Sequence, residues 1–374
     1  MKKLIVVLLS ISVMACSGDN DSKPQSKPQG DQTPVKNVIF LIGDGMGLAQ
    51  VSKAMQSRDK PLNLEKATHV GLIKTTSSKE QITDSAAGAT AFSIGIKTFN
   101  GAVGLDGNGQ SKTTILEMLA ADGYSTGLIA TSGITHATPA SFFAHVKSRD
   151  NYYSIAEAMV DAPVSLFIGG AEDHFDKRNN KKRGKPDDRD LVKEMEAKGV
   201  TFIRDLSGLE KATGRVAYFT SGKHPDSIIK GRSDYLPESI KPSIEFLQKE
   251  SEVGFFMVVE GSQIDWGGHA NDLDYTISEL YDFDNAVGEA IKFAKKDGNT
   301  LVLITADHET GGLTLPTSDI ESEDPYSEAG HAFSSMGHTS TMVPVYAYGK
   351  GAEDFTGVYE NTAIYHKLLS VLGK

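Results

Sequence analysis

The sequence predicts an α/β protein, a three-layer sandwich in which a central, mostly parallel sheet lies between helices in one domain. Three observations predict it. Strand-like and helix-like stretches alternate from residue 38 to residue 372, the pattern of βα units wound into a parallel sheet. Strand candidates such as residues 38–42 and 254–259 are apolar without alternation, as strands covered on both faces are. The conspicuous acids and histidines follow directly on such runs, where open α/β sheets carry their sites.

Length and composition agree with this class. A chain of 374 residues with 39% hydrophobic and 23% charged residues can bury a large core. The formal net charge of -11 excludes general nucleic-acid binding and repels anionic substrates at long range. An anionic substrate would therefore need local positive charge from metal ions and a few placed basic residues.

The N-terminal stretch reads as a leader. Lys2 and Lys3 precede an apolar run over residues 4–14, too short to span a membrane. The box Val13-Met14-Ala15-Cys16 resembles a bacterial lipoprotein cleavage site, and Cys16 is the single cysteine, so no internal disulfide exists. The expected organisation is a signal peptide over 1–15, a lipid-anchored flexible tether over 16–36 and one folded domain over 37–374. Loss of Lys2 and Lys3 with the leader takes the formal charge from -11 to about -13. The product would be exported, a periplasmic or outer-membrane lipoprotein that meets a membrane only through its anchor at Cys16.

In chain order, a buried strand over 38–42 runs into Asp44-Gly45-Met46-Gly47 and a helical pattern. A strand over 70–75 precedes a small-residue helix over 84–94. Helices are expected over 112–121, 153–160, 191–197, 237–249 and 272–295, with strands over 125–130, 164–168, 216–219, 254–259, 300–305 and 343–347. A closing helix is expected over 359–372. Two stretches interrupt the alternation. Residues 177–185 are basic and read as a solvated loop, with a lip that draws in acidic substrates as the alternative. Residues 309–341 are long, Gly- and Ser-rich, acidic at Glu321, Glu323 and Asp324, and return at Gly337-His338-Thr339.

The chemistry gathers at strand exits. Glu260, Asp265 and His269 follow one apolar run, Asp44 the first strand, Asp307-His308 the run over 301–304, and His136 and Thr138 the strand over 125–130. One acid after a strand is usually a helix cap. Four such exits on one rim are hard to bury unless a cation meets them; Asp and His suit zinc, and Glu with other oxygens suits magnesium. Ser85 sits at a helix start, where backbone N–H groups favour an anion and a neighbouring metal would favour its alkoxide.

The ordered set Asp44-Gly-Met-Gly47, Thr83-Asp-Ser-Ala-Ala87, Ala137-Thr-Pro-Ala140, Ser148-Arg149, residues 260–269, Thr305-Ala-Asp-His308 and Gly337-His-Thr339 resembles the bacterial alkaline phosphatases, over roughly residues 37–372. The resemblance implies hydrolysis of phosphate monoesters through a phosphoserine on Ser85. It implies one zinc on Asp265, His269 and His338, a second on Asp44, Asp307 and His308, and one magnesium on Asp44, Thr138 and Glu260. Arg149 would bind phosphate oxygens through its fork and Asp84 would orient it. The family is usually homodimeric, which makes a homodimer the expected state. The alternative within the superfamily is a phosphodiesterase or sulfatase. Two departures stand out: the best-known enteric member has Asp where this chain has His136, and Lys where it has Trp266. His136, counted with both the metal ligands and the substrate-binding residues, implies weaker or altered occupancy at the magnesium; Trp266, beside the substrate, implies looser phosphate. That pair resembles marine and cold-adapted members, and a thermal-inactivation midpoint above about 70 °C would speak against cold adaptation. His331 stays a weaker candidate ligand beside His338, and His69, His145, His174, His224 and His366 read as core or surface.

Overall fold

The computed structural model describes residues 33–316 and 330–374. The expected leader, the Cys16 anchor, the tether up to residue 32 and the acids Glu321, Glu323 and Asp324 lie outside the described residues.

Fourteen short and long strands are described: β1 (Asn37–Gly43), β2 (His69–Lys74), β3 (Ser125–Gly133), β4 (Leu166–Gly170), β5 (Thr201–Phe202), β6 (Val216–Phe219), β7 (Phe255–Gly261), β8 (Thr300–Thr305), β9 (Glu309–Thr310), β10 (Leu313–Thr314), β11 (Ala332–Phe333), β12 (His338–Thr339), β13 (Val343–Gly349) and β14 (Gly357–Glu360). Ten of them form one sheet in the order β14-β2-β13-β8-β1-β7-β3-β4-β6-β5. Only β13 opposes its neighbours, β8 and β2; the other pairings in the sheet are parallel. Every residue of β1, β7 and β8 is buried, so both faces of the sheet centre are covered. This is the mostly parallel α/β architecture the apolar runs predict. The long helix Leu273–Asp297 packs along β1, β7 and β8.

The register of the three central strands places their exits level. Gly43 of β1 stands opposite Gly261 of β7, and Ile42 opposite Thr305 of β8. Asp44, Glu260 and Asp307 are therefore brought to one rim by strand pairing alone.

Three differences from expectation have a clear physical cause. The helix expected over 112–121 starts at Ile115, because Thr114 caps it: the Thr114 hydroxyl accepts from Glu117 N–H and Glu117 returns to Thr114 N–H. The closing helix begins at Ala363, because Gly357–Glu360 pairs with β2 as the edge strand β14. The basic stretch 177–185 is not solvated throughout. Arg178 is buried, donates to Asp187 at 2.7 and 2.6 Å and also pairs with Glu157.

The excursion after residue 309 is tied at its base. β9 pairs antiparallel with β12, and β10 with β11, as two nested ribbons. Glu309 accepts from Gln50 Nε2 (2.7 Å) and from the N–H groups of Gly312 and Leu313 (3.2 Å each), and Thr339 donates to it. The ladder sets His338 opposite Thr310, two residues beyond His308.

Candidate active site

Ser85 opens the helix Ser85–Ile94, whose ten residues are all buried. Asp84 caps that helix, its Oδ1 accepting from Ala87 N–H at 3.0 Å. The Ser85 hydroxyl lies 3.1 Å from His308 Nε2 and 3.5 Å from Asp44 Oδ1. The sharp turn after β1 lets Asp265 and Thr310 pack close against the backbone beside Asp44. Gly45 has φ +72°, and a Cβ there would come within 2.7 Å of Asp265 Cα and 2.8 Å of Thr310 Oγ1.

Asp265, Trp266 and His269 ride on the short helix Ile264–Ala270 that follows β7, with Asp265 and His269 one turn apart. His269 Nε2 is 3.4 Å from Asp265 Oδ1 and 3.1 Å from His338 Nε2; His338 Nε2 is 3.5 Å from Asp265 Oδ1. His308 stacks on His338 with ring centroids 3.6 Å apart, and Asp265, His308 and His338 also converge as a possible ligand set. On the other side, His308 Nε2 is 3.4 Å from Asp44 Oδ1 and 3.3 Å from Asp307 Oδ2. Asp44 further groups with His136 and Glu260.

The tautomers of the three histidines follow from their outer partners. His269 Nδ1 is 2.6 Å from Met336 O and His338 Nδ1 is 2.8 Å from Thr83 O; a carbonyl only accepts, so each Nδ1 carries the proton. His308 Nδ1 is 3.2 Å from Thr310 Oγ1, whose own proton goes to Asp265 Oδ1 at 2.5 Å, so His308 is also protonated at Nδ1. All three Nε2 atoms therefore point inward, and His308, held well below its usual pKa by burial, presents a bare lone pair there. Two of them, on His269 and His338, face each other at 3.1 Å. The pattern of a backbone or hydroxyl acceptor behind an inward nitrogen is that of metal-ligating histidines.

The electrostatics ask for the same thing. Burial and then Asp307, Asp265 and Glu260 push the Asp44 carboxyl well above its usual range. Burial raises Glu260 to about 7 and, with Asp265, Asp307 to about 6. Asp265 is held low, since His338 and His308 outweigh its burial. Asp44 Oδ2, Glu260 Oε1 and Asp307 Oδ2 are buried and accept no hydrogen bond. Buried oxygens without donors, repelling one another, are stabilised by cations. The donor sets fit: nitrogen with carboxylate for zinc, and the oxygens of Asp44, Glu260 and the neighbouring Thr138 for a harder ion.

Arg149 closes the other side. Its Nη1 donates to Asp84 Oδ2 at 3.1 Å and its Nη2 to His136 Nε2 at 3.2 Å. Asp84 Oδ2 also accepts from Gly101 N–H at 3.0 Å, which fixes the fork. His136 is buried and, through burial and Arg149, held well below its usual pKa, hence neutral. With Nε2 accepting from Arg149, its proton sits on Nδ1. Trp266 stands edge-on to His136 at 6.0 Å.

All the residues that sequence singled out thus meet at one rim, and His331, packed edge-on against Phe333 at 6.0 Å, lies beside the ribbon that returns His338. Sequence reasoning missed Thr310, although it follows His308 by two positions on the same strand exit. It also missed His224, whose ring lies 5.1 Å from Trp266.

A sequence model of the family described as alkaline phosphatase matches residues 35–332. The chain is similar to alkaline phosphatase 3 of Bacillus subtilis, at 34% identity over 99% of this chain and 97% of that protein. It is similar to the alkaline phosphatase of Escherichia coli K12, at 30% identity over 92% of this chain and 89% of that protein. In structure it is similar to the alkaline phosphatase of the Antarctic bacterium TAB5, with 42% identity and a TM-score of 0.84, covering 91% of this chain and 98% of that one. Two variants of the Antarctic protein, with a histidine replaced by glutamate or aspartate, have been solved with magnesium bound in the site termed M3.

Proposed function

Since the chain belongs to the alkaline phosphatase family and hydrolyses phosphate monoesters, we propose that Ser85 is its nucleophile and that two zinc ions and one magnesium ion serve it. Asp265, His269 and His338 would hold one zinc; Asp44, Asp307 and His308 the other; Asp44, Thr138 and Glu260 the magnesium. Bound there, the ions would lower the pKa of a hydroxyl or water and offset charge on the reacting oxygens.

The chain's own residues do the rest. Ser85 Oγ, once deprotonated, attacks phosphorus; the Oγ–P bond forms as the P–O bond to the alcohol breaks, and the alcohol leaves with a proton from water. Water then attacks the phosphoserine, the Oγ–P bond breaks, and inorganic phosphate departs. Backbone N–H groups at the start of the helix Ser85–Ile94 favour the anion throughout. Arg149 binds two phosphate oxygens with the donors that Asp84 aims. His136 and Trp266 line the phosphate's far side. His136 would join the magnesium set only by giving up its bond to Arg149, so magnesium is held by one carboxylate fewer than in relatives with an acid there.

The observation that carries this reading is that three inward Nε2 atoms and three donor-less carboxylate oxygens gather at the rim where the Ser85 hydroxyl meets His308 Nε2 and Asp44. A leader ending in the Ala15-Cys16 box supports export as a periplasmic or outer-membrane lipoprotein, and the family habit supports a homodimer. The test is metal content and hydrolysis of a simple phosphomonoester for the wild type, Ser85→Ala and His338→Ala. Ser85→Ala should keep its zinc and lose activity by roughly 10³-fold or more. His338→Ala should lose both. Retained turnover in Ser85→Ala would refute the nucleophile.

A further inference from the structure

The turn over residues 221–226 is held more firmly than a surface turn needs to be. Three consecutive N–H groups dock it: Ala171 donates to Lys223 O (2.8 Å), Glu172 to Ser221 O (3.3 Å) and Asp173 to Gly222 O (2.9 Å). From the other side, Gln263 Nε2 donates to Pro225 O (3.1 Å) and Asp226 O (3.3 Å). Gln263 directly precedes the helix that carries Asp265 and Trp266, and Tyr275 fixes its Oε1 at 2.6 Å. Two backbone features exist for this docking. Ala171 adopts φ +75°, a strained conformation for a residue with a Cβ, and a Cβ on Gly170 would come within 2.2 Å of Lys223 O.

What this arrangement presents is the ring of His224. Its Nδ1 accepts from Gly133 N–H at 3.0 Å, which fixes the ring plane. The ring stands edge-on to Trp266 at 5.1 Å and to His136 at 5.6 Å. His136 in turn touches Arg149. His224 is exposed and Trp266 half-buried, so the pair forms an open aromatic wall one residue away from the phosphate's guanidinium. The docked turn thus sets the exposed ring of His224 beside the half-buried Trp266.

We propose that His224, with Trp266, is a specificity-determining wall for the alcohol portion of the substrate, and that it favours phosphomonoesters whose alcohol carries a planar aromatic ring. The inference rests on the reading of Ser85 and Arg149 as the phosphate site. A ring bound to the ester oxygen would lie against the wall, while a small alkyl group would not reach it. Aromatic contacts of this kind are worth up to about a tenfold change in transition-state affinity.

The test is His224→Asn, which keeps an acceptor for Gly133 N–H and removes the ring. kcat/KM would be measured on 2-naphthyl phosphate and methyl phosphate, with inhibition by inorganic phosphate and with Ser85→Ala assayed alongside. Expected are a loss of about five- to tenfold on the naphthyl ester, less than about twofold on the methyl ester, and unchanged inhibition by phosphate. Equal losses on both esters, or weakened inhibition by phosphate, would mean that His224 acts through His136 on the phosphate, and would overturn the wall. So would no loss on the naphthyl ester. Turnover by Ser85→Ala would refute the underlying site instead, whatever the His224 variant does.

Discussion

Two groups of carboxylates are buried in this molecule, and they are built on opposite terms. Around Ser85, Asp44, Glu260, Asp265 and Asp307 are crowded together, and Arg149, the guanidinium nearest to them, is committed to Asp84 and His136. Beneath the turn at residues 227–232, Glu279 and Asp282 are equally buried, but Arg232 Nη2 donates to both at 2.7 Å. Glu279 also accepts from Ile228 N–H at 2.8 Å. Burial raises Asp282 to about 6 and Asp307 to about 6 alike. Acid density and perturbed protonation therefore do not distinguish a site from a brace. The distinction is whether the chain supplies the counter-charge itself. Both groups hold a buried oxygen without a donor, but the brace binds its acids through Arg232, whereas among the described residues the only ion-pair partners of the rim acids are histidine nitrogens.

Stripping the metals should separate the two groups most strongly. In the metal-free fold Glu260 titrates near 7 against an ordinary 4.5, and Asp307 near 6 against 3.8. Between about pH 4 and 7 the folded chain then holds protons that the unfolded chain has released, so its stability falls as pH rises through that window. Bound metals replace those protons. The melting-temperature gap between zinc-loaded and chelator-treated protein should thus widen from pH 5 to pH 8. A constant or shrinking gap would dissolve the contrast.

Arg232→Met should have the next largest effect, on stability alone. It leaves two buried carboxylates without their cation, at a cost of about 3–5 kcal/mol in denaturant unfolding, while activity per folded, metal-loaded molecule stays near wild type. Arg149→Lys should do the reverse. A lysine cannot reproduce the fork, so kcat/KM should fall by about 10- to 100-fold with little change in the unfolding midpoint. Were both variants to lose stability and keep specific activity, Arg149 would be a second brace.

How far the sequence discloses this contrast depends on topology. Asp44, Glu260, Asp307 and His308 are legible because uninterrupted apolar runs reveal strands, and parallel strands pool their exits. The same logic finds the helix at Ser85, though not that Asp84 caps it. His338 is harder. It reaches the rim through ribbons only two residues long, which leave no periodicity to read, and only the Gly-His-Thr context marks it. β14 is missed because it is four residues long at the sheet edge with Val358 exposed, so no apolar run betrays it. Thr310 and His224 are invisible for another reason. Their roles come from a hydroxyl behind a histidine and from a docked turn, both set by tertiary contacts. Arg149 is marked by the Ser148-Arg149 motif, whereas nothing in the sequence marks Arg232, whose partners Glu279 and Asp282 alone reveal the brace.

Cations complete the rim. X-ray data collected at the zinc absorption edge from crystals grown with zinc test it most directly. Two anomalous peaks are expected, one among Asp265, His269 and His338 and one among Asp44, Asp307 and His308. Saturating zinc that left both positions without a peak would contradict it.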